Sequence, residues 1–248
     1  MTKIIGIISF KGGVGKTISV INIGAALSKL NKKVLVVDAN FLSPTLHIYL
    51  GLLNPDITLR EAIRNNILPE DAIYEHKSGL NVMPCNFYKD ADLEKFKKII
   101  DYVKEKYDYV IVDSGPSYSE EILGVLMVAD EMIFITTPDY PTLTTTLRAA
   151  ELVKQKKLPI IGIIVNKKRK KSYELTSKDI ERTTSLPVIS EINDDHKIMI
   201  SVSKFNSIIN QYPRNKNSKN YLRIAKEIIG DEEEIKKLSN ELKKIGLS

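Results

Sequence analysis

A doubly wound, mostly parallel twisted sheet with helices on both faces is the α/β architecture expected for this chain, and three observations lead to it. Apolar runs suited to buried strands recur, amphipathic stretches separate them, and a glycine-rich turn joins the first run to the first helical stretch. The runs are "IIGIIS" (4–9), "KVLVVD" (33–38), "LNVM" (80–83), "YVIVD" (109–113), "EMIFIT" (131–136), "IIGIIVN" (160–166) and the shorter "PVIS" (187–190). Val and Ile without polar alternation suit strands covered on both faces, as parallel strands are.

The helical stretches follow the same order. "TISVINIGAALSKL" (17–30) opens straight out of the glycine turn, and "DLEKFKKIIDYVKEK" (92–106) carries apolar residues at helical spacing. "YPTLTTTLRAAELVKQKK" (140–157) puts Pro141 in a first turn, where its missing N–H leaves no hydrogen bond unmade. Alternating strands and helices imply right-handed crossovers. No repeat or linker interrupts the pattern, so one domain over residues 1–248 is expected. Its tail, 231–248, reads as a C-terminal helix with Ile235, Leu238, Leu242 and Ile245 on one stripe, Asp231 as N-cap and Gly246 as stop. Three consecutive glutamates and the lack of Phe or Trp favour packing on its own domain over a membrane surface.

Composition narrows the function. The chain has 248 residues, 43% hydrophobic and 27% charged, which is ample for a core without staples. A lone Cys85 excludes an internal disulfide framework and a cysteine-built metal or iron–sulfur site within one chain, and a cytoplasmic setting follows as the expectation. The opening apolar run is too short for a signal peptide, and nothing approaches the ~20 apolar residues of a membrane span. His47, His76 and His196 are too widely spaced to read as a metal site. A formal charge of +6 and a pI near 9.1 point to an anionic partner.

The most informative stretch is "SFKGGVGKT", residues 9–17. Gly12, Gly13 and Gly15 let the backbone turn its N–H groups inward around phosphates, in conformations a side chain would hinder. Val14 and Ile18 flank the turn, and the helix start adds its positive dipole end. Lys16 is placed to reach the β- and γ-phosphates, and Thr17 to ligate Mg²⁺. A charge count explains the second lysine. ATP brings about −4, Mg²⁺ offsets two of these, Lys16 one and the helix end about one-half. About one-half of a negative charge is left, and Lys11 has the charge to meet it. On so short a loop Lys11 is better placed to serve a partner subunit's nucleotide, which is the logic of an arginine finger supplied in trans.

"KGGVGKT" resembles the deviant P-loop of the ParA/MinD family of P-loop NTPases, and the later motifs arrive in that family's order. "KKVLVVDAN" resembles its second strand and switch I, and "YDYVIVDSGPS" its Walker B strand running into switch II. "ADEMIFITTPDYPTL" and "IIGIIVNK" resemble the strands that follow. The resemblance implies an ATP- and Mg²⁺-dependent homodimer in which Lys11 crosses the interface. Asn166 matches the residue that reads adenine. Ile192, Asn193 and Asp194 fall in the loop beside the base, where Asn193 stands in place of the family's usual proline. Asp113, at a strand end, is expected to hold Mg²⁺ with Thr17, and Asp38 occupies a catalytic or metal-facing position. Asn40 stands where the family has an Asp that orients the attacking water. An amide can bond a water but cannot take its proton, so hydrolysis should be slow, or Asp38 serves alone.

A partner surface is harder to choose. Lys167, Lys168, Arg169, Lys170 and Lys171 form a candidate non-specific DNA-binding cluster, or a solvated loop beside the adenine pocket. Residues 41–85 resemble the MinD branch instead, whose members use membranes. The family also implies an activator protein in a ParB- or MinE-like role. The expected function is a slow, dimeric ATPase switch for spatial positioning. The competing readings are a non-hydrolysing ATP-dependent adaptor and a metabolic ligase or iron–sulfur carrier, the last disfavoured by the single cysteine.

Overall fold

A computed structural model describes residues 2–116 and 120–230. Its strands are β1 (Lys3–Ser9), β2 (Val34–Ala39), β3 (Tyr74–His76), β4 (Leu80–Met83), β5 (Tyr109–Pro116), β6 (Glu131–Thr136), β7 (Ile160–Lys168) and β8 (Val188–Asn193). They form one sheet in the order β3-β4-β2-β5-β1-β6-β7-β8. All neighbours run parallel except β3, an antiparallel edge that pairs Tyr74 with Val82 and His76 with Leu80. Three residues carry too little alternation to be read from sequence, and β3 was not expected. Its Tyr74 hydroxyl is nevertheless fastened to the backbone N–H and C=O of Ile57.

The helices are α1 (Lys16–Lys29), α2 (Leu46–Tyr49), α3 (Leu59–Asn65), α4 (Leu93–Lys104), α5 (Glu120–Val128), α6 (Tyr140–Gln155), α7 (Ser177–Thr184), α8 (His196–Ser203), α9 (Ile208–Gln211) and α10 (Lys216–Ile229). They cover both faces. Because the strands are buried on both sides, successive residues of one strand feed two different cores: Ile5 and Ile7 pack with α1, α9 and α10, while Ile4 and Ile8 pack with α4, α5 and α6. Both cores are fully apolar at their centre, with Tyr221 the largest wholly buried side chain. Its hydroxyl meets Ser19 Oγ at 3.3 Å, and Asn22 Oδ1 accepts from Ile208 N, so α9 and α10 are pinned to α1 by polar contacts inside an apolar layer.

Local chemistry sets the boundaries. Asp92 accepts from Lys95 N and starts α4, and Asp139 accepts from Thr142 N and starts α6 with Pro141 in its first turn. Gly230, at φ 83°, ends α10 in the left-handed conformation that favours glycine. The tail expected as a helix over 231–248 lies outside the described residues. Among those described, no helix is long and apolar enough to cross a membrane.

Candidate nucleotide site

In open α/β sheets ligands gather beyond the carboxyl ends of the strands, beside the point where the connections change direction. Here β1 lies between β5 and β6, and its carboxyl end runs into the glycine turn. Gly13 has φ 77° and Gly15, the N-cap of α1, φ 91°. A β-carbon on Gly15 would also run into the Asn166 amide, so glycine is required there twice over. The resulting cavity of about 220 Å³ is lined by residues 11–18, by Asn40, Ser43, Thr45 and Tyr49 from the loop after β2 and α2, and by Pro116.

Lys16 and Thr17 converge on Asp113 at the end of β5. Lys16 Nζ lies 2.9 Å from Asp113 Oδ1 and also meets the Ser114 carbonyl, and Thr17 Oγ1 donates to Asp113 Oδ2 at 2.6 Å. Lys16 is 8% exposed and Asp113 fully buried, so the pair is a desolvated one. A buried carboxylate needs a cation and full hydrogen bonding, and these two side chains supply both. Thr17 and Asp113, both expected to face Mg²⁺, are adjacent, whereas the Lys16 ammonium expected at the phosphates rests on Asp113.

Asp38 behaves differently from the expectation. It is fully buried, and it accepts from Asn40 N on Oδ1 and from Thr45 N and Leu46 N on Oδ2, each at 3.0 Å. It does not line the cavity; it ties the loop 40–46 back onto β2. Its pKa is pushed up to about 7, first by burial and then by the Asp113 charge, against the backbone N–H groups of Leu46 and Asn40 and the Lys16 charge. Asn40 does reach the cavity wall: Nδ2 donates to the Ser43 carbonyl, while Oδ1 is buried with no hydrogen-bond partner among the described residues.

Lys11 lines the cavity with its backbone side, but its ammonium sits elsewhere. Nζ donates to Thr142 Oγ1 at 2.8 Å and lies 3.4 Å from Asp139 Oδ1, at the first turn of α6. Burial alone would raise the Asp139 carboxyl, but hydrogen bonds from Thr137 and Thr142 and the Lys11 charge outweigh it and hold it below the ordinary value. Neither Asp139 nor Thr142 was foreseen as a Lys11 partner. Asp139 showed itself in the sequence only as a helix cap, and its second role depends on the packing of α6 beside the glycine turn.

Several residues carried over from the resemblance sit differently. Asn166 Nδ2 is spent on the Val14 carbonyl at 2.7 Å, so in this structure the amide braces the glycine turn. The Ile192 side chain is wholly inside the core, where it cannot touch a base. Asn193 is clamped through its backbone, with N–H to Asn217 Oδ1 at 2.9 Å and C=O from Asn217 Nδ2 at 3.0 Å. Asp194 Oδ2 accepts from Arg169 Nε at 2.7 Å. The basic run 167–171 is correspondingly less free than its composition implies. Lys167 donates to the Gly13 carbonyl at 2.7 Å, and Lys168, only 13% exposed in its side chain, is paired with Glu191 at 2.6 Å. Lys168 is thereby withdrawn from any outside partner, while Lys170 and Lys171 remain exposed.

Magnesium fits the donor set. Thr17 Oγ1 and the Asp113 carboxylate are adjacent hard oxygens, and among the described residues there is no cluster of three or more metal-ligating side chains. That sparse set suits an ion that keeps waters and phosphate oxygens in its remaining positions.

A parallel sheet, a glycine-rich strand-to-helix turn, and a Lys–Thr pair on a strand-end Asp together define a P-loop nucleotide-binding protein. The chain belongs to the CobQ/CobB/MinD/ParA nucleotide-binding domain family, whose profile matches residues 5–208. It is 32% identical over 214 residues to the septum site-determining protein MinD of a Synechocystis species, covering 82% of this chain and 80% of that one. Among solved structures it is similar to the cell division ATPase MinD of Pyrococcus furiosus, with TM-score 0.87, 27% identity and coverage of 93% and 99%. It is also similar to the septum site-determining protein MinD of Pyrococcus horikoshii complexed with Mg-ADP, with TM-score 0.86, 27% identity and coverage of 92% and 96%.

Proposed function

We propose that this protein is a slow, Mg²⁺-dependent ATPase that closes into a homodimer on ATP and serves as a positioning switch. The observation that carries the reading is the Lys16–Asp113–Thr17 constellation beneath the glycine turn. Lys16 there neutralises the carboxylate on which a metal would sit. When Mg²⁺ accompanies the nucleotide it supplies that positive charge and polarises the terminal phosphate. With both bound, Lys16 would leave Asp113 for the β- and γ-phosphates, Thr17 and Asp113 would hold the metal, and the N–H groups of residues 12–17 would cradle the phosphate chain.

The dimer reading rests on Lys11. Lys11 is held on the rim of its own subunit by Asp139 and Thr142, with its side chain 43% exposed, and a partner's triphosphate is a stronger anionic attraction than one shared carboxylate. Slow turnover follows from Asn40. Its side chain lines the cavity and an amide can bond a water, but it cannot take the proton. The same feature keeps a non-hydrolysing adaptor as the alternative.

For the surface, DNA backbone is the reading with support. Lys170 and Lys171 are exposed, and the charges of Lys170 and Arg223 reach Lys216, whose pKa is lowered first by burial and then by them, against Glu191. The test is ATP turnover with and without non-specific DNA or anionic liposomes, beside light scattering in Mg-ATP. We expect an ATP-dependent dimer, slow turnover, faster turnover in Asn40→Asp, and loss of the dimer in Lys11→Ala with ATP binding retained. A monomer in Mg-ATP, or dimerisation indifferent to Lys11→Ala, refutes the switch. A dimer without turnover leaves the adaptor, and stimulation by liposomes alone moves the surface to a membrane.

A further inference from the structure

Glu121 is a buried carboxylate that the chemistry above does not use. It is 3% exposed and stands in the first turn of α5, where the helix dipole favours a negative charge. Its Oε1 accepts the backbone N–H of Leu42 at 2.7 Å, across 79 residues of sequence. Its other oxygen lies against Gly115, just beyond Asp113: a β-carbon on Gly115 would collide with the Glu121 carboxylate. That same β-carbon would come within 3.2 Å of Asn40 Oδ1. One side chain therefore touches the loop after β2 and the end of β5, the two segments that bring Asn40 and Asp113 to the nucleotide cavity.

We infer that Glu121 is a positioning residue that locks these two segments together and so aims the Asn40 amide at the terminal phosphate. Asn40 is two residues before Leu42. Its backbone is held on one side by Asp38, and Leu42 is held on the other by Glu121. Between those anchors the Asn40 side chain lines the cavity, with Nδ2 on the Ser43 carbonyl and Oδ1 buried towards Gly115. Without the Glu121 bond, the loop keeps its Asp38 anchor and the Tyr88 N–H on the Phe41 carbonyl but loses its tie to α5, and the Asn40 amide is free to turn away. A loss of this kind lowers kcat while leaving the phosphate cradle, and hence ATP affinity, almost intact. Gly115 has no side chain because the Glu121 carboxylate occupies that space, which makes the lock a three-way packing of loop, strand end and helix.

This inference rests on the ATPase reading, and the test separates the two. Glu121→Ala and Glu121→Gln are compared with wild type by ATP turnover, by ATP titration, and by hydrogen exchange of residues 40–46 with and without Mg²⁺ and a slowly hydrolysed ATP analogue. The expected result for Glu121→Ala is Leu42 exchange faster by about tenfold or more, kcat lower by about tenfold, and an ATP Kd within about threefold of wild type. Glu121→Gln keeps a carbonyl acceptor for Leu42 N–H and should recover most of both. Unchanged exchange over 40–46 in Glu121→Ala overturns the inference. So does a parallel fall in kcat, ATP affinity and protection throughout the chain, which marks a merely structural acid. If wild type binds the analogue without hydrolysing ATP, the ATPase reading fails. The exchange arm then decides Glu121: analogue-induced protection over 40–46 must be lost in Glu121→Ala and kept in Glu121→Gln.

Discussion

A buried charge is tolerated only with a partner, and the nucleotide cavity is built from two that have one. Lys16 removed by Lys16→Ala leaves Asp113 in the interior with only Thr17 donating to it. Breaking a buried pair from one side typically costs ~3–5 kcal/mol, so the nucleotide-free variant should unfold at clearly lower urea concentration, besides losing ATP binding. Gly15→Ala acts through geometry. An L-residue at φ 91° costs ~1–2 kcal/mol, and the Asn166 amide must leave the Val14 carbonyl to make room. Isothermal titration should show ATP affinity reduced at least tenfold even in a folded Gly15→Ala sample, since the turn that aims the N–H groups is displaced.

At the scale of elements, the caps and the packed faces account for where helices start and which way they face. Asp92 caps α4 through Lys95 N, and α4 buries Phe96, Ile99, Ile100 and Val103 against the sheet, remote from the nucleotide cavity. Asp92→Ala should therefore cost ~1 kcal/mol in thermal or chemical unfolding and leave ATP affinity unchanged, in contrast to the glycine-turn variants. Asp139 is the same kind of cap with a second duty. It starts α6 and also holds Lys11, so its removal would disturb both a helix end and the resting place of the interface lysine.

For the molecule as a whole, pH enters through His47 and His76 and, with the opposite sign, through Asp38. His47, on α2, is buried with Nδ1 unpartnered among the described residues, and burial lowers its pKa from the ordinary 6.5. His76 is lowered as well, by burial and then by the Lys77 charge, with a backbone bond opposing. A folded-state pKa below the unfolded one means that the unfolded chain takes the proton first. The histidine contribution is then full above about 6.5 and declines as pH falls towards the folded value, while Asp38, pushed up to about 7, takes its proton first in the folded state and opposes it. Urea unfolding of wild type and His47→Leu at pH 7.5 and 5.5 isolates the histidine part: the variant should gain on wild type as pH falls. An unchanged pH difference in that variant would remove His47 as a cause.

The seven parallel strands and the glycine turn were legible in the sequence, because periodicity and short motifs are local, whereas the Lys16 ammonium on the Asp113 carboxylate was not. The edge strand β3 was too short to carry a pattern. The tertiary structure decided the rest, by placing side chains from distant segments against one another. It set Lys11 on Asp139, spent Asn166 and Lys167 on carbonyls of the glycine turn, buried Ile192, and paired Lys168 and Arg169 with Glu191 and Asp194. A linear pattern shows which residues have charge and hydrogen-bonding capacity. Only the packing of α5, α6 and β8 around the cavity determines where that capacity is used, since each of these contacts joins residues that the chain itself holds far apart.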